Sequence, residues 1–254
     1  MKLFANGCSF TFGGGLYNSH ELANGGMTPY SQNPDNQERL RVTWPGVLKE
    51  HIGADSVVNY ALSGGSNARI ARTTLDYFYD LLYQGEDISN YTAVIQWTEL
   101  ARTEFIIDRH WFYFGPGGAA TDIGIGQAPQ PPCKAEFYVD NYYKTYYKVL
   151  QSDQKDVTDF ITQTSALGNF FKTHNVKYVF CMHVDCFLYA NKIKKIEQIK
   201  SMLNKEFNWL NGSMQDSVLG HFLSEGDQIS PDDTHPNISG HQRIAEQIRN
   251  YLEQ

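Results

Sequence analysis

The chain has 254 residues, 41% hydrophobic and 19% charged, with 21 Lys+Arg against 28 Asp+Glu and a formal charge of −7. That is the make-up of an ordinary globular protein, long enough to bury its core without disulfides or a structural metal. The acidic balance argues against capture of a polyphosphate, which needs a basic face to release counterions, so no nucleic-acid partner is expected. No membrane partner is expected either. No apolar run approaches the ~18 residues of a membrane span, and Met1-Lys2-Leu3-Phe4-Ala5-Asn6-Gly7 lacks a signal-peptide core. A cytoplasmic setting is the expectation, compatible with a viral or other context. Cys8, Cys133, Cys181 and Cys186 form no CxxC pair and read as reduced thiols.

Along the chain, Leu3-Phe4-Ala5-Asn6 is a short apolar run stopped by Gly7, the pattern of a buried strand ending in a turn. Gly13-Gly14-Gly15 and the polar stretch from Tyr17 to Gln37 read as a long loop. Trp44 to Ile52 has helical spacing, with Thr43 as N-cap and Gly53 as stop, and Ser56-Val57-Val58-Asn59-Tyr60 reads as a second strand. After the turn Ser63-Gly64-Gly65-Ser66-Asn67, the spacing predicts a helix over Ala68 to Leu82 with Ile70, Thr74, Leu75, Tyr77, Phe78 and Leu81 inward. Val94-Ile95-Gln96-Trp97 is the third strand. From Glu104 to Tyr147 the pattern becomes irregular and rich in Gly, Pro and aromatic residues, as in an insertion at about 104–150 within one domain spanning 1–254.

Regular alternation returns with a helix from about Val157 to His174, the strand Val176 to Met182, a helix from Lys192 to Asn204 and a last helix from about Asn237 to Leu252. The basic run Lys192 to Lys200 alternates with isoleucines and reads as the wet side of its helix. Strands alternating with helices predict an α/β fold with a mostly parallel sheet covered on both sides. Reactive groups then gather at the carboxyl ends of the strands, in the turns after Asn6, Tyr60, Trp97 and Met182.

Two of these places carry chemistry-bearing residues. Ser9 lies just past the first strand in Gly7-Cys8-Ser9-Phe10; a serine there is either a helix cap or, with a base in reach, a nucleophile. Before the last helix stands Asp232-Asp233-Thr234-His235-Pro236-Asn237. A carboxylate three residues before an imidazole can accept from one ring nitrogen and leave the other facing outward, the arrangement of a general base. Asn237 or Ser239 can cap the helix that follows.

Together with the Gly64 turn, these segments resemble the SGNH (GDSL-type) hydrolase superfamily over nearly the whole chain. Gly7-Cys8-Ser9-Phe10 matches the Gly-Asp-Ser-Leu motif, Asn59-Tyr60-Ala61-Leu62-Ser63-Gly64 the glycine segment and Asp232-Asp233-Thr234-His235-Pro236 the Asp-x-x-His element. The resemblance implies a three-layer α/β/α, flavodoxin-like fold with about five strands in the sheet. It implies Ser9 as nucleophile, His235 as base, Asp232 as orienting carboxylate, and the N–H groups of Ser9 and Gly64 as an oxyanion hole. The chain departs from the family in two places: Cys8 replaces the motif Asp, and the third segment reads Val94-Ile95-Gln96-Trp97-Thr98-Glu99-Leu100 where the family has Gly-x-Asn-Asp.

An ionised Glu99 cannot donate a hydrogen bond, and losing an oxyanion donor costs roughly 10²–10³ in turnover unless another group takes its place. Asn67, Thr98 and Arg102 are the nearest polar candidates, with Arg102 equally suited to holding an anionic part of the substrate or to a salt bridge with Glu99 or Glu104. His183 ends a central strand on the same rim and is a candidate pocket residue; Cys181, His183, Asp185 and Cys186 share no obvious centre, so no metal is expected. No cofactor is implied. The reading that follows is a serine esterase acting on a small acyl ester of a carbohydrate, the aromatic insertion serving as lid or platform, or else as its own small core or a subunit contact. The alternatives are an acyltransferase with the same three residues, or a binding or structural protein that keeps the fold with weakened chemistry.

Overall fold

A computed structural model describes residues 1–17, 31, 33–107, 110–115, 141–187 and 193–254. Most of the polar stretch after Tyr17, the centre of the aromatic insertion with Pro131, Pro132 and Cys133, and the start of the basic run at Lys192 lie outside the described residues.

Four strands form one parallel sheet: β1 (Lys2–Asn6), β2 (Ser56–Asn59), β3 (Tyr91–Trp97) and β6 (Lys177–Met182), in the order β2-β1-β3-β6. The fifth position expected from sequence is filled by an irregular edge, where Trp209 and Val218 make isolated parallel bridges to Phe180 and Met182. The third strand starts at Tyr91, three residues before the apolar run begins, because Tyr91 and Thr92 are buried as well.

Strand alternation sorts the sheet's side chains into two cores. Phe4, Ala93, Ile95, Trp97, Tyr178 and Phe180 face one way and pack with Ile70 and Phe78 of α4 (Asn67–Tyr83), Phe160 and Phe171 of α5 (Asp153–Thr173) and Leu203 of α6 (Ile196–Glu206). Leu3, Ala5, Val94, Val179 and Cys181 face the other way, against Trp44 and Leu48 of α3 (Trp44–His51) and Ile244, Ala245 and Ile248 of α7 (Ile238–Leu252). This is the three-layer α/β/α arrangement, with the sheet apolar on both faces.

Caps set the helix ends. Ser66, Ser152 and Asn237 accept from the backbone N–H groups of Arg69, Lys155 and Gly240, so Asn237, and not Ser239, caps α7. Two short helices lie nearer the amino end: α1 (Ser9–Phe12) and α2 (Gln37–Val42). Within the segment that looked irregular, β4 (Thr103–Ile107) and β5 (His110–Phe114) form an antiparallel hairpin. Among the described residues no helix is long and apolar enough to cross a membrane.

The strand order reverses at β1: the chain leaves it for β2 on one side and crosses back to β3 on the other. Such a switch point opens a crevice at the carboxyl edge. Ser9 sits there, directly after β1.

Two tests of the packing follow. Gly168 lies inside α5, where a methyl group would come 2.3 Å from Cδ1 of the buried Phe207 ring. Gly168→Ala, which in an open helix adds about 1 kcal/mol of stability, is expected here to remove about 1–3 kcal/mol, read as a lower urea midpoint. The second concerns His241, fully buried with Nδ1 accepting from the Trp44 N–H at 3.1 Å. Burial pushes its pKa, and that of His183, from 6.5 down to about 3. Both rings stay neutral in the folded chain while the unfolded chain takes up protons below 6.5, so stability should be full above that pH and drain away toward pH 3. The urea midpoint is expected to drop between pH 7 and pH 5, and to drop less in His241→Gln.

Candidate active site

The turn after β1 is built by buried amides. Asn6 ends the strand; its Nδ2 donates to the Ile70 carbonyl and to the hydroxyls of Thr73 and Thr74, and its Oδ1 accepts from the Gly7 N–H at 2.9 Å. Asn59 does the same at the end of β2, donating to the Thr11 carbonyl at 2.9 Å and accepting from the Ala61 N–H. Arg39 of α2, fully buried against the Phe12 ring, reaches the Asn59 carbonyl from behind, and burial lowers its pKa to about 10. Ser9 is thereby held as the first residue of α1, with Cys8 rather than Ser9 at the cap position.

Under this turn lies Gln96, the one polar side chain in the run Val94 to Trp97. Its Oε1 accepts from the Thr11 hydroxyl at 2.8 Å, and its Nε2 donates to Cys8 Sγ at 3.2 Å and to the Trp97 carbonyl at 2.9 Å. Cys8 therefore sits on a neutral, fully partnered amide.

At the other end, β7 (Gln228–Ser230) and β8 (Asp233–Pro236) form an antiparallel pair that carries His235 to the same rim. The Ser9 hydroxyl lies 2.8 Å from His235 Nε2, and His235 Nδ1 lies 2.6 Å from Asp233 Oδ1. The carboxylate behind the imidazole is thus Asp233, which corrects the expectation for Asp232. In an extended strand residues two apart share a face, so Asp233 and His235 point together, while Asp232 lies exposed in the preceding turn. Burial works against the Asp233 charge, but hydrogen bonds from the ring and the backbone N–H of His235 outweigh it and hold the carboxyl below its ordinary range. A negative Asp233 in turn fixes the tautomer with hydrogen on Nδ1, leaving Nε2 to accept from Ser9.

Gly14 closes the pair from one side. A methyl group there would come 2.8 Å from Ser9 Cβ and 3.1 and 3.2 Å from His235 Cδ2 and Nε2, so only a bare backbone fits. Its neighbours Gly13 and Gly15 take φ values of +95° and +79°, and both Gly13 and Gly14 donate to the Ser9 carbonyl. The glycine run that reads as plain loop in the sequence is a collar around Ser9 and His235.

The remaining candidates separate clearly. Gly64 is exposed on a turn whose neighbour Gly65 packs against the Gly7 carbonyl, and the N–H groups of Ser9 and Gly64 meet no acceptor among the described residues. Asn67 is a strut: its Nδ2 donates to the Thr98 carbonyl and its Oδ1 accepts from the Thr98 N–H, so both amide atoms are tied to the Thr98 backbone. Thr98 is buried with an unpartnered hydroxyl among the described residues, and Glu99 binds Arg102 Nε at 2.7 Å. Glu104 pairs instead with Arg72.

His183 packs edge-on against Phe10 with ring centroids 4.3 Å apart, kept neutral by burial and by the nearby charges of Arg102 and His235. Cys186 donates to the Thr98 carbonyl, and burial pushes its thiol pKa well up. Cys181 donates to the Ile95 carbonyl, on the far side of the sheet from Trp97.

The sequence reading missed Asp233, Gln96 and Gly14. A glutamine inside an apolar strand and three consecutive glycines after a candidate nucleophile were the available signals. Gly14→Ala is expected to push Ser9 and His235 apart and to slow labelling of Ser9 by a fluorophosphonate by about 100-fold, measured against melting temperature as a control for folding.

The family of unknown function DUF6071 matches residues 28–217, a span that ends short of Ser9 on one side and of Asp233 and His235 on the other. No curated protein matches the sequence. Among solved structures the chain is similar to a protein assigned to the lipolytic G-D-S-L family from Desulfitobacterium hafniense DCB-2, with a TM-score of 0.50 and 16% identity over 99% of each chain. A member of the lipolytic G-D-S-L family from Veillonella parvula DSM 2008 gives a TM-score of 0.48 and 10% identity over 100% of this chain and 99% of that one. The first likeness establishes the fold, which is that of the SGNH hydrolases. With a family match across most of its length, the chain belongs to DUF6071, a family of unknown function, and in this chain that sequence carries the SGNH-hydrolase fold.

Proposed function

We propose that the chain is a serine esterase that cleaves a small acyl ester, with Ser9 as nucleophile, His235 as general base and Asp233 as the carboxylate that orients and stabilises the imidazole. The observation that carries this reading is the unbroken line from the Ser9 hydroxyl through His235, 2.8 Å away, to Asp233, 2.6 Å beyond. A serine hydroxyl becomes nucleophilic only as a base takes its proton, and a base does so only in the correct tautomer.

In the proposed cycle Ser9 Oγ attacks the acyl carbon and its proton passes to His235 Nε2. The oxygen that gains charge is met by the open N–H groups of Ser9 and Gly64. The leaving alcohol takes the proton from His235, and an acyl-Ser9 ester remains. Water then gives its proton to His235, attacks the same carbon and releases the acid, and the proton returns to Ser9. A carbohydrate ester suits the aromatic segment next to β3, where Trp111 stacks on Arg72 and Phe105 packs on Tyr142 and Tyr146.

Labelling by a fluorophosphonate and release of p-nitrophenol from p-nitrophenyl acetate test the reading. Both are expected in the native chain and both should vanish in Ser9→Ala; equal silence in the two proteins would favour a binding or structural role. Asp233→Asn is expected to lower kcat by about 10⁴ through loss of the tautomer, whereas Asp232→Asn should leave it within a factor of two or so. Equal effects of the two asparagines would remove Asp233 from its assigned role.

A further inference from the structure

Arg102 stands one turn beyond β3, its N–H bonded to the Glu99 carbonyl at 3.2 Å. Its side chain is only 17% exposed, and among the described residues Nε has one partner, Glu99 Oε2 at 2.7 Å. Nη1 and Nη2 find no acceptor among the described residues. The acids nearby are engaged elsewhere: Asp156 accepts from Gln151 and Asp159 from Lys155, across a crevice that Arg102 also lines.

The carboxyl ends of β3 and β6 meet beside this residue. His183 donates its N–H to the Trp97 carbonyl at 2.8 Å, and Cys186 Sγ reaches the Thr98 carbonyl at 2.9 Å. Burial opposes the Arg102 charge, yet Cys8, Glu99 and Cys186 lie near enough to hold the guanidinium above its ordinary value. Arg102 follows β3, and Ser9 follows the neighbouring parallel strand β1, so both stand on the same carboxyl-end rim of the sheet. A guanidinium fixed at Nε by one carboxylate keeps its end-on fork, the two Nη groups, pre-set for the paired oxygens of a second.

We propose that Arg102 is a specificity residue that takes a carboxylate on the substrate, so that the preferred ester is an anion. This rests on the esterase reading for its meaning, but the binding site itself does not depend on Ser9 chemistry. Glu99 serves as its positioning partner, which gives a use to the acidic residue that stands where the family has an amide.

The test compares three esters in the native chain and in Arg102→Gln and Arg102→Lys: neutral p-nitrophenyl acetate, mono-p-nitrophenyl glutarate with the carboxylate on the acyl side, and 4-acetoxybenzoate with it on the leaving group. For at least one of the two anions, kcat/KM relative to the neutral ester should drop about 10-fold or more in Arg102→Gln, with the loss mainly in KM and partly restored by lysine. A parallel fall for all three esters would make Arg102 a general support of the site and overturn the proposal, as would no fall at all. Independently of turnover, calorimetry with glutarate on Ser9→Ala should show binding that weakens about 10-fold or more in Ser9→Ala/Arg102→Gln. Absence of glutarate binding, or binding indifferent to Arg102, rejects the anion site; absence of fluorophosphonate labelling with glutarate binding intact rejects the esterase reading alone.

Discussion

A sheet that is apolar on both faces leaves chemistry only its rim. Every central strand here spends its two rows of side chains on the two cores, so polar groups can collect only where the strands run out, at Asn6, Asn59, Trp97 and Met182. The reversal of strand order at β1 opens that rim between β1 and β3, and Ser9 occupies the opening. The amides of Asn6, Asn59 and Gln96 turn this constraint into rigidity: each is buried, each amide nitrogen and oxygen has a partner, and together they anchor the turn from three sides.

The electrostatics of the rim are correspondingly spare. Below Ser9 there is a thiol on a neutral amide, beside it a histidine held neutral, and behind His235 one carboxylate whose charge is sustained by the imidazole it orients. Among the described residues the Ser9 hydroxyl has one nitrogen or oxygen partner within 3 Å, His235 Nε2. With Cys8 where the motif has a carboxylate, no negative charge stands next to Ser9 in sequence, and among the described residues the Arg102 guanidinium is paired with Glu99.

Much of this was readable from residue order. The apolar runs at Leu3, Val94 and Val176 predicted buried strands because both faces of a covered parallel strand are apolar, and Ser9 and His235 stood out because each follows or precedes a regular element. The choice between Asp232 and Asp233 was not readable: both acids precede the histidine, and only the phase of a four-residue strand decides which one shares its face. Asn67 looked like a free donor and is a tie to Thr98, a distinction that depends on a contact 31 residues away. The hairpin of β4 and β5 escaped notice because its cross-strand partners, not its local pattern, make it a sheet.

The collar of Gly13, Gly14 and Gly15 touches residues that lie 226 positions apart. Neither half of the chain can form the Ser9–His235 contact by itself, so that pairing exists only once the first strand and the segment before the last helix lie side by side.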